Sequence, residues 1–367
     1  LPVGGIAPPQ GQRKKPVILS AAKDLAAECK GSFESIHGLS FRDEMLHFVQ
    51  YDRGGIWYNG VLEGSEMALT DTNEKSQLGL LEERFVEGVG FPNRPGGGFR
   101  PDATSWAILA LEAAGSASGV AGKARRLLAN AQGEDGRVCV SPQHPDACWP
   151  TPLAALAWHG ASEFDGPRDK AIRFLLEFDQ LGVLDGPQTG ESHDVTIRGW
   201  PWIAKTHPWV EPTAYVLMAL RVCGYGSHRR SVDAVRLLTD RQLADGGWNV
   251  GTTVTFGKQM WPTPEATGLS LQALAGLVPK PAVQRSIEYL RSQLPALNAP
   301  MSLGWAILGL HAWQETLDQP QERILQIIAK QKQLGPYDTF SLGLLLLAWH
   351  CDAGLVRYLE DKRQAAK

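Results

Sequence analysis

At 367 residues, 43% of them hydrophobic and 20% charged, the chain can bury a substantial core, as a soluble enzyme-sized domain does. Its formal net charge of −3 offers no basic surface, so no nucleic-acid partner is expected. The five cysteines, Cys29, Cys139, Cys148, Cys223 and Cys351, are odd in number and lack metal-type spacing, which points away from a disulfide framework and toward a reducing, cytoplasmic setting.

In chain order, residues 1–72 come first. Pro, Gly and charged residues interrupt any period there, and no signal-peptide core follows Lys14-Lys15, so this stretch reads as an N-terminal extension, poorly ordered or loosely docked. The ordered body is expected over 73–367, opening with a helix near Glu74 to Val86 and a Gly96-Gly97-Gly98-Phe99 turn. From there a two-part unit recurs. Its first half is an amphipathic helix running into Gln and then Gly: Lys123 to Gln132 and Gly136, Lys170 to Gln180, and most completely Asp233 through Gln242 to Gly246-Gly247-Trp248. Its second half is a small-residue apolar helix, begun at Pro101, Trp149, Val210, Pro262, Met301 and Phe340.

The two helix types bury differently. Ser231 to Arg241, Ala282 to Leu294 and Glu322 to Lys332 carry apolar residues at helical spacing with Arg, Lys, Glu and Gln between them, as in Val283, Ile287, Leu290 and Leu294, so they are outer helices with one wet face. Ala103 to Ala114 and Ser302 to Trp313 are apolar nearly all round, so they are inner helices packed on several sides. Recurrence at about 40 to 60 residues means that each pair needs neighbours to bury its apolar face. The fold class predicted is all-α, an (α/α)6 barrel of six outer/inner helix pairs. No apolar run approaches a membrane span; the longest, Leu342 to Trp349, belongs to the sixth inner helix.

The unit ending Gln242, Gly246 and Trp248 resembles the QW repeat of the squalene-hopene cyclase and protein prenyltransferase superfamily, and the alternation of outer helix, Gly-rich turn and inner helix resembles its toroid. The likeness departs at Leu237, where the motif prefers an aromatic, and at Asp233, where it prefers a base. It implies a terpenoid-cyclase-like toroid over 73–367, a small isoprenoid-like ligand, and an open question of peripheral membrane contact. In that family Gln242 and Trp248 would hold the wall together. The family's catalytic Asp-x-Asp-Asp cluster and the diphosphate motif Asp-Asp-x-x-Asp are both missing. Asp146-Ala147-Cys148 matches the first two zinc ligands of a prenyltransferase, but no His opens the sixth inner helix, Asp338-Thr339-Phe340-Ser341, so neither zinc nor another cofactor is expected.

Aligning the inner helices on Ala110-Leu111, Ala219-Leu220 and Ala273-Leu274 brings Asp102, Glu211 and Glu265 to one repeat position, and Thr104, Thr213 and Thr267 to another. The acidic position becomes Met301 and Phe340 in the last two repeats, so one arc of the mouth is acidic and the other apolar. A carboxylate in a first helical turn is also favoured by the helix dipole alone. The long connection Leu181 to Val210 carries His193, Trp200, Trp202, His207 and Trp209, and the next loop ends at Trp261, so these two loops are expected to roof a cavity above Glu211 and Glu265. Glu211, Glu265 and Asp102, with His207, are the acid/base candidates; Trp200, Trp202, Trp209, Trp261, His193, Met301 and Phe340 are the substrate-contact candidates. Trp106, Tyr215, Trp305, Trp313 and Trp349 read as core packing. Aromatic faces beside carboxylates suit an isoprenoid carbocation. The same equipment suits a carbohydrate-active (α/α)6 enzyme, and a non-catalytic binding toroid is the third reading.

Overall fold

The computed structural model describes residues 73–181, 194, 196–255 and 257–365, all within one compact unit, Glu63–Lys367. The extension expected over 1–72 lies outside the described residues. The described chain is mostly helical. Its only strands are β1 (Val254–Thr255) and β2 (Lys258–Gln259), an antiparallel pair in a loop.

Outer helices α1 (Glu74–Glu83), α3 (Val120–Asn130), α5 (Asp165–Glu177), α7 (Arg229–Asp240), α9 (Lys280–Gln293) and α11 (Pro320–Ala329), the last extended by α12 (Gln331–Leu334), alternate with inner helices α2 (Pro101–Ala113), α4 (Pro150–Trp158), α6 (Val210–Val222), α8 (Pro264–Leu274), α10 (Pro300–Ala312) and α13 (Thr339–His350). The outer helix α9 buries Val283, Ser286, Ile287 and Leu290, one stripe at helical spacing. The inner helix α2 buries every residue from Pro101 to Leu111. Proline stands in the first turn of α2, α4, α8 and α10, where no intrahelical partner for its missing N–H is needed.

Each inner helix packs on the next: α2 on α4, α4 on α6, α6 on α8, α8 on α10, α10 on α13, and α13 on α2. The closest junction is α8 with α10. A Cβ on Gly268 would stand 2.2 Å from the Trp305 carbonyl oxygen, and one on Gly309 would stand 2.6 Å from the Gly268 oxygen, so only glycine admits these backbones so near. The junction of α13 with α2 joins the two ends of the described body. Arg84 donates to the Tyr337 carbonyl at 2.6 Å, and the Thr339 N–H and hydroxyl donate to the Asn93 and Pro92 carbonyls at 2.8 and 2.7 Å.

The repeat is written into the hydrogen bonds. Gln132 Nε2 donates to Gly136 and Pro167 carbonyls, and Gln242 Nε2 to the Ala282 carbonyl and Ser286 Oγ, so each Gln ties its helix end to the start of the next outer helix. The turn glycines Gly136 and Gly246 have φ of 93° and 94°, and a Cβ on either would strike the Lys170 or Arg285 backbone.

The last helix, α14 (Leu355–Ala365), lies across the C-terminal ends of the inner helices. Lys362 pairs with Glu112 of α2 at 2.7 Å, Arg221 of α6 with Glu360 at 3.5 Å, and Gln272 of α8 accepts the Leu355 N–H at 3.0 Å. Among the described residues, α14 therefore covers that end of the inner helices. No single described helix is long and apolar enough to cross a membrane.

Candidate active site

A shared threonine sets the phase of the helices that carry the acids. Thr104, Thr151, Thr213 and Thr267 each take the backbone N–H of a loop residue, Phe91, Val138, Trp200 and Trp248 in turn, and return their hydroxyl to the same residue's carbonyl. The threonine therefore faces the preceding loop. At 3.6 residues per turn a residue two positions earlier points roughly 200° away, so Asp102, Glu211 and Glu265 turn from the wall toward the middle.

Their environments then diverge. Glu211 is half-buried, so solvent still reaches it, yet desolvation pushes its carboxyl up to about 7, and the nearby Glu265 carboxylate adds to the rise. Glu265 accepts a short hydrogen bond from the Ser302 hydroxyl of α10. Asp102 is gripped by Arg100, Nε and Nη2 both at 3.0 Å. The bidentate ion pair occupies both oxygens of that carboxylate. Tyr215, one turn after Glu211 on the same helix face, has its phenol raised well above the usual value by desolvation first and by Glu211 and Asp102 next.

Below the carboxylates the middle is filled with rings. Trp106 of α2 meets Phe340 of α13 at 5.2 Å, Trp305 of α10 at 5.5 Å and Tyr215 of α6 at 6.1 Å, and Tyr215 meets Trp305 at 6.2 Å. Trp202 extends the cluster from the loop, 6.5 Å from Tyr215 and 5.1 Å from Trp149. Helices α2, α6 and α10 are not consecutive neighbours, so these side chains meet across the interior.

The remaining candidates scatter. Trp200 stands in the wall: its ring N–H donates to the Leu175 carbonyl, as Trp248 donates to Leu238, and Arg230 lies 4.1 Å over its ring. Gly199-Trp200 thus repeats Gly247-Trp248, and the ligand contact expected of Trp200 is replaced by a structural tie. Trp261 is 81% exposed, and Asn249 Nδ2 donates to its carbonyl. His207 and Trp209 are half-buried and face each other at 4.2 Å at the start of α6. Met301 and Phe340 are half-buried in the first turns of α10 and α13, against the core. His193 lies outside the described residues.

Asp146 and Cys148 do not build a metal site together. Asp146 is exposed, whereas Cys148 is buried and its thiol pushed up to about 12 by desolvation. Among the described residues no three His, Cys, Asp or Glu side chains converge as a ligand set. The void beside Cys148 and Trp149 is about 10 Å³, room for one water at most. An open groove of about 320 Å³, lined by Asn93, Arg94, Gly97, Gly98, Phe99 and Arg100, adjoins the Arg100–Asp102 pair.

Tyr215, Trp106, Trp305 and Ser302 are the site residues that sequence reasoning passed over. For Tyr215 a signal existed, since it stands four residues after Glu211. Ser302 comes from another helix and had none. No family model matches the chain, and no curated protein matches it.

Proposed function

We propose that the helix pairs close as an (α/α)6 toroid of the squalene-hopene cyclase and protein prenyltransferase type, whose mouth is an acid/base site for an isoprenoid or similarly apolar substrate. The cyclic packing of α2, α4, α6, α8, α10 and α13 supports the toroid, and the Gln132 and Gln242 ties support the QW character of its wall. One observation carries the chemistry: a carboxyl held near 7, Glu211, beside a second carboxylate and above a cluster of aromatic rings. A neutral Glu211 gives a proton, the ring faces stabilise the positive charge that results, and Glu265 takes a proton back.

Paired carboxylates facing aromatic planes also favour the carbohydrate reading. Native mass spectrometry of the protein purified from its own cytoplasm separates the two. A retained polyprenyl species that disappears in Glu211→Gln supports the proposal; a retained oligosaccharide replaces it with the second reading.

A further inference from the structure

The loop ahead of α4 brings two cysteines together, and the acid/base site uses neither. Across the turn from Ser141 to Asp146, the Val140 N–H donates to the Ala147 carbonyl at 3.0 Å. In an antiparallel pairing such a bond flanks a directly opposed pair that has no hydrogen bond of its own. One residue outward on each side, that pair is Cys139 and Cys148. Thr151 pins its far side: the hydroxyl oxygen lies 3.1 Å from the Val138 carbonyl and 2.7 Å from the Cys148 carbonyl. Residues opposed in this way have Cα atoms about 4.5 Å apart, within the span of about 4.4 to 6.8 Å that a disulfide requires. Both cysteines are free thiols.

The two sulfurs are not equivalent. Cys139 is half-buried, and its Sγ donates to the Pro145 carbonyl at 3.2 Å. Arg137 Nη1 donates to the same oxygen at 3.1 Å, which sets a guanidinium beside this thiol. Cys148 is buried just ahead of α4. Desolvation pushes both thiols up, while Arg137 draws Cys139 back and Cys139 adds to the rise at Cys148. Cys139 is therefore the sulfur that an outside reagent reaches, and Cys148 stands behind it. The next residue, Trp149, precedes Thr151 by two positions, as Asp102, Glu211 and Glu265 precede Thr104, Thr213 and Thr267, and its ring meets Trp202 at 5.1 Å. A bond at Cys148 thus acts one residue from the mouth.

We infer that Cys139 and Cys148 form a reversible dithiol–disulfide site, oxidised by exchange with a low-molecular-weight disulfide, that fastens the start of α4 to the loop before it. Cys139 gives up its proton and its sulfur attacks one sulfur of the outside disulfide. That S–S bond breaks, and the other half leaves as a thiol carrying a proton. Cys148 then loses its proton and attacks the Cys139 sulfur of the mixed disulfide, and the second half leaves as a thiol. Two cysteine thiols are oxidised and one disulfide is reduced to two thiols. Burial stabilises neither thiolate, so the bond forms slowly and, once made, is a weak oxidant that persists until excess thiol reverses it.

The test incubates the full-length protein with glutathione disulfide in native buffer, blocks the remaining thiols with N-ethylmaleimide in urea, and reads the peptides by mass spectrometry. Wild type should yield a linked Cys139–Cys148 peptide that dithiothreitol removes. Cys148→Ser should instead hold glutathione on Cys139 at about tenfold the wild-type level, because the internal thiol that displaces it is gone. Cys139→Ser should leave Cys148 unmodified. A wild type without the link, or with a link that forms only when oxidation is carried out in urea, overturns the inference. Glutathione retained on Cys139 equally in wild type and Cys148→Ser overturns it as well. Should Cys148→Ser fail to fold, the wild-type linkage decides alone.

Discussion

Replacing Glu211 by Gln removes a carboxyl that the fold holds far from its ordinary value, and the effect on stability has a definite sign. In the folded chain this group titrates at about 7 rather than at 4.5. The shift of about 2.5 units, at about 1.36 kcal/mol each, is worth about 3 kcal/mol, and the partial exposure of Glu211 trims it to about 2 to 3 kcal/mol. As pH rises the unfolded carboxyl ionises first. The stability gained by burying a neutral acid is therefore fully present below about pH 4.5, declines above it, and is gone once the pH passes about 7. Glutamine never ionises, so the variant keeps what the wild type loses. Urea unfolding followed by circular dichroism should give matching stabilities at pH 4 and a Gln variant about 2 to 3 kcal/mol more stable at pH 8. Glu211 and Glu265 repel, so the curve reports the pair rather than one residue. A gap that stays flat between pH 4 and 8, or a wild type that gains on the variant above pH 7, would refute the assignment of Glu211 to a desolvated site.

Three further outcomes follow from the wall. Gly246→Ala sets a Cβ 2.6 Å from the Arg285 backbone at a φ of 94°, and should destabilise the chain by about 3 kcal/mol in urea melts; a loss under 0.5 kcal/mol would mean the turn is loose. Thr213→Val keeps the shape but strands the buried Trp200 N–H, which should cost about 2 kcal/mol, whereas a neutral result would remove the threonine tie as a register device. Cys148, with its thiol near 12, is about one part in ten thousand thiolate at pH 8, so iodoacetamide should spare it in the native protein and label it after unfolding. Rapid native labelling, read by peptide mass spectrometry, would contradict its burial.

Helices were the legible part, because periodicity and prolines act locally. Ser231 to Arg241 was expected and Arg229–Asp240 is found; Ser302 to Trp313 was expected and the helix opens two residues earlier, at Pro300. Glu322 to Lys332 was expected as one helix, but the chain breaks after Ala329 and restarts at Gln331. The common phase of Asp102, Glu211 and Glu265 was also legible, since the threonines two residues on make equivalent hydrogen bonds. What escaped depends on neighbours remote in sequence. Trp200 and Trp202 sit two residues apart in one loop, yet one ring enters the wall and the other the interior. The choice follows Gly199, whose absent side chain leaves room for Leu237 and Thr213. Tyr215 reads as core from its apolar neighbours, and only the fold sets its ring among Trp106, Trp202 and Trp305 from three other parts of the chain.

The junction of α13 with α2 has a consequence for how the molecule assembles. The threonine ties join residues 13 or 19 apart, and can form while the chain is still being made, but Arg84 and Thr339 are 255 residues apart. Loop-closure entropy is thus concentrated at one late event, which waits for nearly the whole chain. Trp106 and Phe340 meet across that junction, 5.2 Å apart, inside the ring cluster. A molecule lodged among those rings touches both ends of the body at once, so occupancy and the final closing of the chain reinforce each other.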